Sequence, residues 1–157
     1  MITIITGKIN SGKTTYIKNL YQKDKKGDGV ISIKEMIDNT VDNYQSLHLK
    51  SNQIFSQVLR NTHTLNEDEI ICQIGPYNFL ESGLVQSSKL FHQMIDNFIS
   101  PIYIDEIGLL ELDDKHYHNI FKELIKSGLD IVFTVRTDLL DQIIKKYNIK
   151  EPKIIRI

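Results

Sequence analysis

The stretch that decides the fold runs from Ile2 to Thr15 and reads ITIITGKINSGKTT. Ile2 to Thr6 is a β-branched run without a polar alternation, the pattern of a strand buried on both faces. Gly7 turns the chain, and Gly7 to Thr14 follows G-x-x-x-x-G-K-T. A helix is expected from about Gly12, with Ile17, Leu20 and Tyr21 on one face. A strand, a glycine loop and a helix start, in that order, make a cradle for phosphate. Gly7 and Gly12 let the loop wrap with its N–H groups inward. The helix start adds the positive end of its dipole. Lys13 would bridge the outer phosphates, the Thr14 hydroxyl would ligate Mg²⁺, and Thr15 could hold the inner phosphate. A chance match in a chain of this length is on the order of one in a few hundred. The bland alternative is a glycine turn with a solvated lysine, and the flanking strand and helix weigh against it.

A second stretch, PIYIDEIGLLEL (Pro101 to Leu112), supplies the acids that such a loop needs. Ile102 to Ile104 is apolar, as expected of another buried strand. Asp105 and Glu106 follow at its C-terminal end, the edge where parallel sheets present ligands. A carboxylate there can hold Mg²⁺, usually through water, opposite the loop threonine. Its neighbour can orient and deprotonate a water aimed at the γ-phosphate. Asp105 is therefore the expected metal residue and Glu106 the expected general base. Glu111 fits a helix start or a loop charge.

Around these two stretches, strands and helices alternate. Further strands are expected at Val30 to Ile33, Glu69 to Ile74, Asp130 to Val135 and, at an edge, in KIIRI at the end of the sequence. Apolar residues recur at helical spacing from Leu84 to Phe98, from Ile120 to Ile125, and from Leu139 to Tyr147. Residues 34 to 66 are polar and weakly periodic, and short strands or loops are expected there. The alternation implies an α/β fold with a mostly parallel sheet covered by helices on both faces. No linker or repeat divides the 157 residues, so one domain over 1–157 is expected.

Composition narrows the function classes. Hydrophobic residues make up 41% and charged residues 25%, ordinary globular usage. A net charge of -1 provides no global field for nucleic acid. The single cysteine, Cys72, excludes an intrachain disulfide and reads as a small buried residue. No apolar run approaches a spanning helix and no signal peptide is evident, so a cytoplasmic, membrane-free protein is expected.

The residues just quoted resemble those of the THEP-type nucleoside-triphosphatases. DEIGLLEL (Asp105 to Leu112) is similar to the family's D-E-I-G-x-M-E-L signature. GVISIKE (Gly29 to Glu35), IGPYNFLESGL (Ile74 to Leu84) and DIVFTVRTDLLDQIIKK (Asp130 to Lys146) resemble its other segments. The resemblance implies a three-layer, RecA-like P-loop fold, with Val132 to Val135 as the strand between the phosphate-loop strand and the acidic strand. It implies slow, Mg²⁺-dependent hydrolysis of nucleoside triphosphates with broad base tolerance. By position, the nucleotide contacts it implies are Gly7, Lys8, Ile9, Asn10, Ser11, Gly12, Lys13, Thr14 and Thr15, with Asp105, Glu106, Ile107 and Gly108. The sequence departs from the family pattern in three places. Leu109 and Leu110 replace a usual Lys and Met. An Arg-Gly-Phe element is missing from Val41 to Ser51. The sequence stops at Ile157, before a usual C-terminal helix with an Asn-Arg pair. The last two bear on base contacts and rate more than on phosphate binding.

Arg136, after the Asp130 to Val135 strand, could reach the γ-phosphate as an arginine finger in cis, or be a surface arginine. His116 and His118 would point about 200° apart on a helix, a poor metal pair, and are expected to be solvated. Tyr77 and Phe79 could stack on a base, although a packing role is the plainer reading. Two other functions compete with hydrolysis. A small-molecule kinase usually closes a lid carrying several arginines, and this chain has only Arg60, Arg136 and Arg156. A nucleotide-dependent switch would act through a partner, and the guanine-reading N/T-K-x-D string of switch GTPases is absent.

Overall fold

Ile4 and Ile5 are both fully inaccessible to water, yet they belong to two separate hydrophobic clusters on opposite faces of one strand. The same alternation recurs in the neighbouring strands. Ile102, Ile104, Ile131 and Phe133 face the larger cluster, and Tyr103 and Val132 face the smaller. A period of two in an all-apolar run buries both faces of a sheet.

The computed structural model describes residues 1–157. In chain order the elements are β1 (Ile2–Gly7), α1 (Lys13–Asp24), β2 (Asp28–Ile37), β3 (Thr40–His48), β4 (Ile54–Arg60), β5 (Ile70–Ile74), β6 (Tyr77–Leu80), α2 (Glu81–Asp96), β7 (Ile102–Ile107), α3 (Leu109–Leu112), α4 (His118–Lys126), β8 (Ile131–Arg136), α5 (Leu140–Lys146) and β9 (Lys153–Arg156). All nine strands form one sheet in the order β5-β6-β4-β3-β2-β7-β8-β1-β9. β8 lies between β1 and β7, as expected of the RecA-like arrangement. Helix α1 covers one face through Ile17, while α2, α4 and α5 cover the other. The three-layer α/β fold is therefore the one expected, and α1 spans the anticipated residues.

Parallel pairing joins β2, β7, β8, β1 and β9. The rest of the sheet is antiparallel. Residues 34 to 66, expected as short strands or loops, are mostly the long strands of this extension. Their periodicity is weak because β2 ends in four exposed residues and β3 never alternates cleanly. The turn between them is Asp38-Asn39, with φ of 47° and 60°, the left-handed pair that a tight hairpin needs. Cys72 is half-buried rather than buried, because β5 is an edge strand. No helix is long and apolar enough to cross a membrane.

Phe121 of α4 packs edge-on against both Phe133, at 5.0 Å, and Tyr147, at 4.7 Å, and is fully buried. Phe121→Ala should lower unfolding stability by about 3–5 kcal/mol in urea denaturation.

Candidate active site

The loop after β1 carries its glycines where the backbone demands them. Gly12 has φ 93°, a conformation that side chains resist. A Cβ on Gly7 would lie 2.7 Å from the Ile157 carbonyl oxygen. Helix α1 begins directly after Gly12 with no side-chain cap, so the N–H groups of its first turn have no intrahelical acceptor. They are the anion-binding groups of a helix start. The Lys13 ammonium arches back over the loop and donates to the carbonyl oxygens of Gly7 and Lys8, at 3.2 and 2.7 Å. Burial pulls its pKa down, while the carboxylates of Glu106 and Asp105 act the other way.

Asp105, at the end of β7, is 3% exposed and accepts four hydrogen bonds. The Thr14 hydroxyl donates to Oδ2 at 2.7 Å and the Ser32 N–H at 3.2 Å. Oδ1 takes the Glu106 N–H, at 3.1 Å, and the Thr134 hydroxyl. Burial raises the Asp105 pKa, and these donors partly offset the rise. Next to it the strand bulges. The β7–β8 register slips between Ile104 and Ile107, and Glu106 takes φ 62°. Adjacent residues of a regular strand face opposite sides. The bulge instead brings both carboxylates to one cleft. Protein walls crowding Glu106, and then the charge of Asp105, push its carboxyl up to about 7; Lys34 and Lys13 oppose this. Water still reaches Glu106 across the cleft, which favours its ionised form.

The cleft holds about 640 Å³, within the range of small-molecule sites. Ile9 to Thr15, Ser32, Lys34, Asp105, Glu106 and Thr134 line its phosphate-loop end. The chain has no group of three or more His, Cys, Asp or Glu side chains able to hold a metal alone. It offers one hydroxyl and one carboxylate, hard oxygens already in contact. That donor set fits Mg²⁺, which characteristically completes its shell with water and phosphate oxygens.

A family model described as NTPase matches residues 2–157. The chain belongs to this NTPase family. Its fold is similar to that of THEP1 from the hyperthermophile Aquifex aeolicus, at 18% identity and a TM-score of 0.69, over 99% of this chain and 89% of that one. It is equally similar to a human cancer-related nucleoside triphosphatase, at 17% identity and a TM-score of 0.69, over 99% of this chain and 87% of that one. At these identities the likeness is one of fold. A search of curated proteins returns no match. The chain is thus a nucleoside-triphosphatase-type P-loop protein.

In this NTPase, Lys13, Thr14, Asp105 and Glu106 converge as the sequence suggests. Thr15 lines the cleft, and Gly7 and Lys8 contribute carbonyls to Lys13. Ile107 is buried, and the Gly108 N–H is tied to Glu111 Oε2 at 2.7 Å. Arg136 borders the cleft, but its guanidinium forks onto Asp138, with Nε to Oδ1 at 3.0 Å. The histidines are not solvated as expected. The His116 side chain is 7% exposed, because Glu111 and Gln57 hold it between α3 and the antiparallel strands. His118 is nearly as enclosed, against Tyr147.

Two residues escaped the sequence reading. Lys34, at the cleft end of β2, donates to the Asn10 side chain of the phosphate loop at 2.6 Å. Thr134 accepts the Glu106 N–H at 2.8 Å while donating to Asp105. Its signal was available as the one polar residue in the run IVFTV. Thr134→Val leaves Asp105 and the Glu106 N–H each short of a partner. It should cost about 1–3 kcal/mol of stability by chemical denaturation.

Proposed function

We propose that this NTPase hydrolyses the β–γ bond of nucleoside triphosphates, ATP and GTP among them, with Mg²⁺, slowly and with broad base tolerance. One observation carries the reading: the β7 bulge that sets the Glu106 carboxylate in the same cleft as Asp105, Thr14 and Lys13. Residues 1–157 act as one domain in this proposal.

The loop from Gly7 to Thr15 wraps the phosphate chain with backbone N–H groups. Lys13 exchanges its two carbonyl partners for the outer phosphate oxygens. Thr14 and Asp105 hold Mg²⁺, which when bound neutralises charge developing on the phosphates. Glu106 accepts the proton of a water directed at the γ-phosphorus, and Ile107 and Gly108 border the nucleotide beside it. A general base with a pKa near the working pH matches this task. Lys34 brings a second positive charge to the phosphate-loop end. Arg136 can serve the same phosphate only by leaving Asp138, which suits a slow turnover.

Glu106→Gln should lower phosphate release about 10²–10⁴-fold with triphosphate affinity kept. Release at the wild-type rate would remove Glu106 from the role of base. Lys13→Ala should abolish tight binding of a fluorescent triphosphate, measured by anisotropy. Chelation by EDTA should stop phosphate release, and added Mg²⁺ should restore it. Undiminished release in EDTA would contradict the metal assignment.

A further inference from the structure

The cleft extends past Glu106, over the antiparallel half of the sheet. Tyr44, Ser46, Gln57, Tyr77, Phe79 and His116 line this second lobe. The strand order places β7, with Asp105 and Glu106, between the phosphate-loop strand β1 and the lobe strands β3, β4 and β6. Thr14 bonds to Asp105 beside Glu106, and a triphosphate held by the loop would present its outer phosphate toward Glu106 and the lobe. The lobe therefore adjoins the face of the γ-phosphate that a nucleophile attacks. A hydrolytic water needs only about 30 Å³ of room.

The walls of this lobe are fixed in advance. Glu111, 1% exposed, accepts from His116 Nδ1 at 3.1 Å. With its proton on Nδ1, His116 uses Nε2 to accept from the Gln57 amide at 2.7 Å. Gln57 Oε1 in turn accepts from the Ser46 and Ser87 hydroxyls, at 3.1 and 3.3 Å. The chain of bonds holds Ser46, Gln57 and His116 in single orientations. Beside them Tyr44 and Tyr77 pack edge-on at 5.5 Å, and Phe79 packs on His116 at 5.1 Å. Aromatic walls next to fixed amide and hydroxyl groups suit a planar ring with polar edges.

Charge selects further. The cations that line the cleft are Lys13, Lys34 and Arg136: Lys13 and Lys34 are bonded to the phosphate loop, Arg136 pairs with Gly7 in the sheet, and Lys34, opposite Tyr44 in the β2–β3 ladder, marks the border of the lobe. Beyond that border the lobe is lined by no lysine or arginine, and its one carboxylate is committed to His116 and backbone N–H groups. A phosphate-bearing ligand would meet no countercharge there.

We propose that this lobe binds a neutral nucleoside, its base against the aromatic wall and a hydroxyl toward Glu106, as a phosphoryl acceptor in competition with water. The proposal rests on Glu106 acting as the base of the hydrolytic reaction. The Glu106 carboxylate takes the proton of the nucleoside hydroxyl, and that oxygen bonds to the γ-phosphorus. The bond from the γ-phosphorus to the β–γ bridging oxygen breaks, and its electron pair leaves with the nucleoside diphosphate. The products are a nucleoside monophosphate, a nucleoside diphosphate and the proton that Glu106 later releases. With no arginine-bearing lid to exclude water, transfer and hydrolysis run side by side.

The test uses the full chain with Mg²⁺ and γ-labelled ATP, with and without adenosine, guanosine, cytidine and uridine. Label should appear in a nucleoside monophosphate only when a nucleoside is present. Tyr77→Ala should lower the ratio of labelled monophosphate to labelled inorganic phosphate about tenfold. In parallel, saturation-transfer NMR should show nucleoside binding that survives saturating ADP. Label confined to inorganic phosphate would overturn the proposal and leave hydrolysis standing. Displacement of the nucleoside by ADP would also overturn it, because the nucleoside would then occupy the base site of the triphosphate. If neither product forms, the hydrolytic reading fails, and the ADP competition alone decides whether the lobe is a nucleoside site.

Discussion

Thr134 lies between the two acidic residues, its hydroxyl given to Asp105 and its oxygen taking the Glu106 N–H at 2.8 Å. This one side chain secures the bulge. Without an acceptor there, the Glu106 N–H would keep only its longer bond to Asp105 Oδ1, at 3.1 Å, where the β7–β8 ladder slips. A non-glycine residue at φ 62° costs on the order of 1 kcal/mol, and a net hydrogen bond contributes a similar amount. The two nearly cancel, so the strained turn is sustained by its neighbours. Glycine would relieve the strain and remove the carboxylate, which is the reason for the strain being there.

The same constraint ties the phosphate loop to the sheet. Thr14 of α1, Ser32 of β2 and Thr134 of β8 all donate to Asp105, so three elements that are distant in sequence converge on one buried carboxylate. Its charge would be costly to bury alone. Four donors make it tolerable, and a cation beside Thr14 would stabilise it further. The site is thus rigid at Asp105 and open at Glu106. That division suits a fixed metal ligand next to a base that must reach water.

Much of this was legible in the chain itself. ITIIT and PIYID are apolar on both faces, and only a covered parallel sheet satisfies such strands, so β1 and β7 were readable along with the loop and acids at their ends. The antiparallel extension was not. The end of β2 is exposed on both sides, β3 does not alternate cleanly, and the Asp38-Asn39 turn joining them is a short signal. The bulge was equally hidden, since an apolar-Asp-Glu string looks the same in a regular strand, where the two acids would point apart. His116 was misjudged for a related reason. Glu111 lies only five residues away, yet a helical reading points it elsewhere, and Gln57, 59 residues away, is brought to it only by the fold.

Electrostatics explains why the two ends of the cleft differ so sharply. At the loop end three cations serve a polyanion, yet Arg136 is neutralised locally by Asp138, leaving Lys13 and Lys34 as the charges free of a carboxylate partner. Both lysines are held by neutral oxygens, which a phosphate can displace at small cost. A phosphate taking Arg136 must instead break a forked ion pair. Exposed pairs of this kind contribute only about 0.2–1 kcal/mol, so the fork delays Arg136 without barring it. At the far end the only carboxylate is buried and saturated with donors, and no cation accompanies it. Two molecules, a polyanion at the loop end and a neutral partner at the far end, match the cleft as a whole.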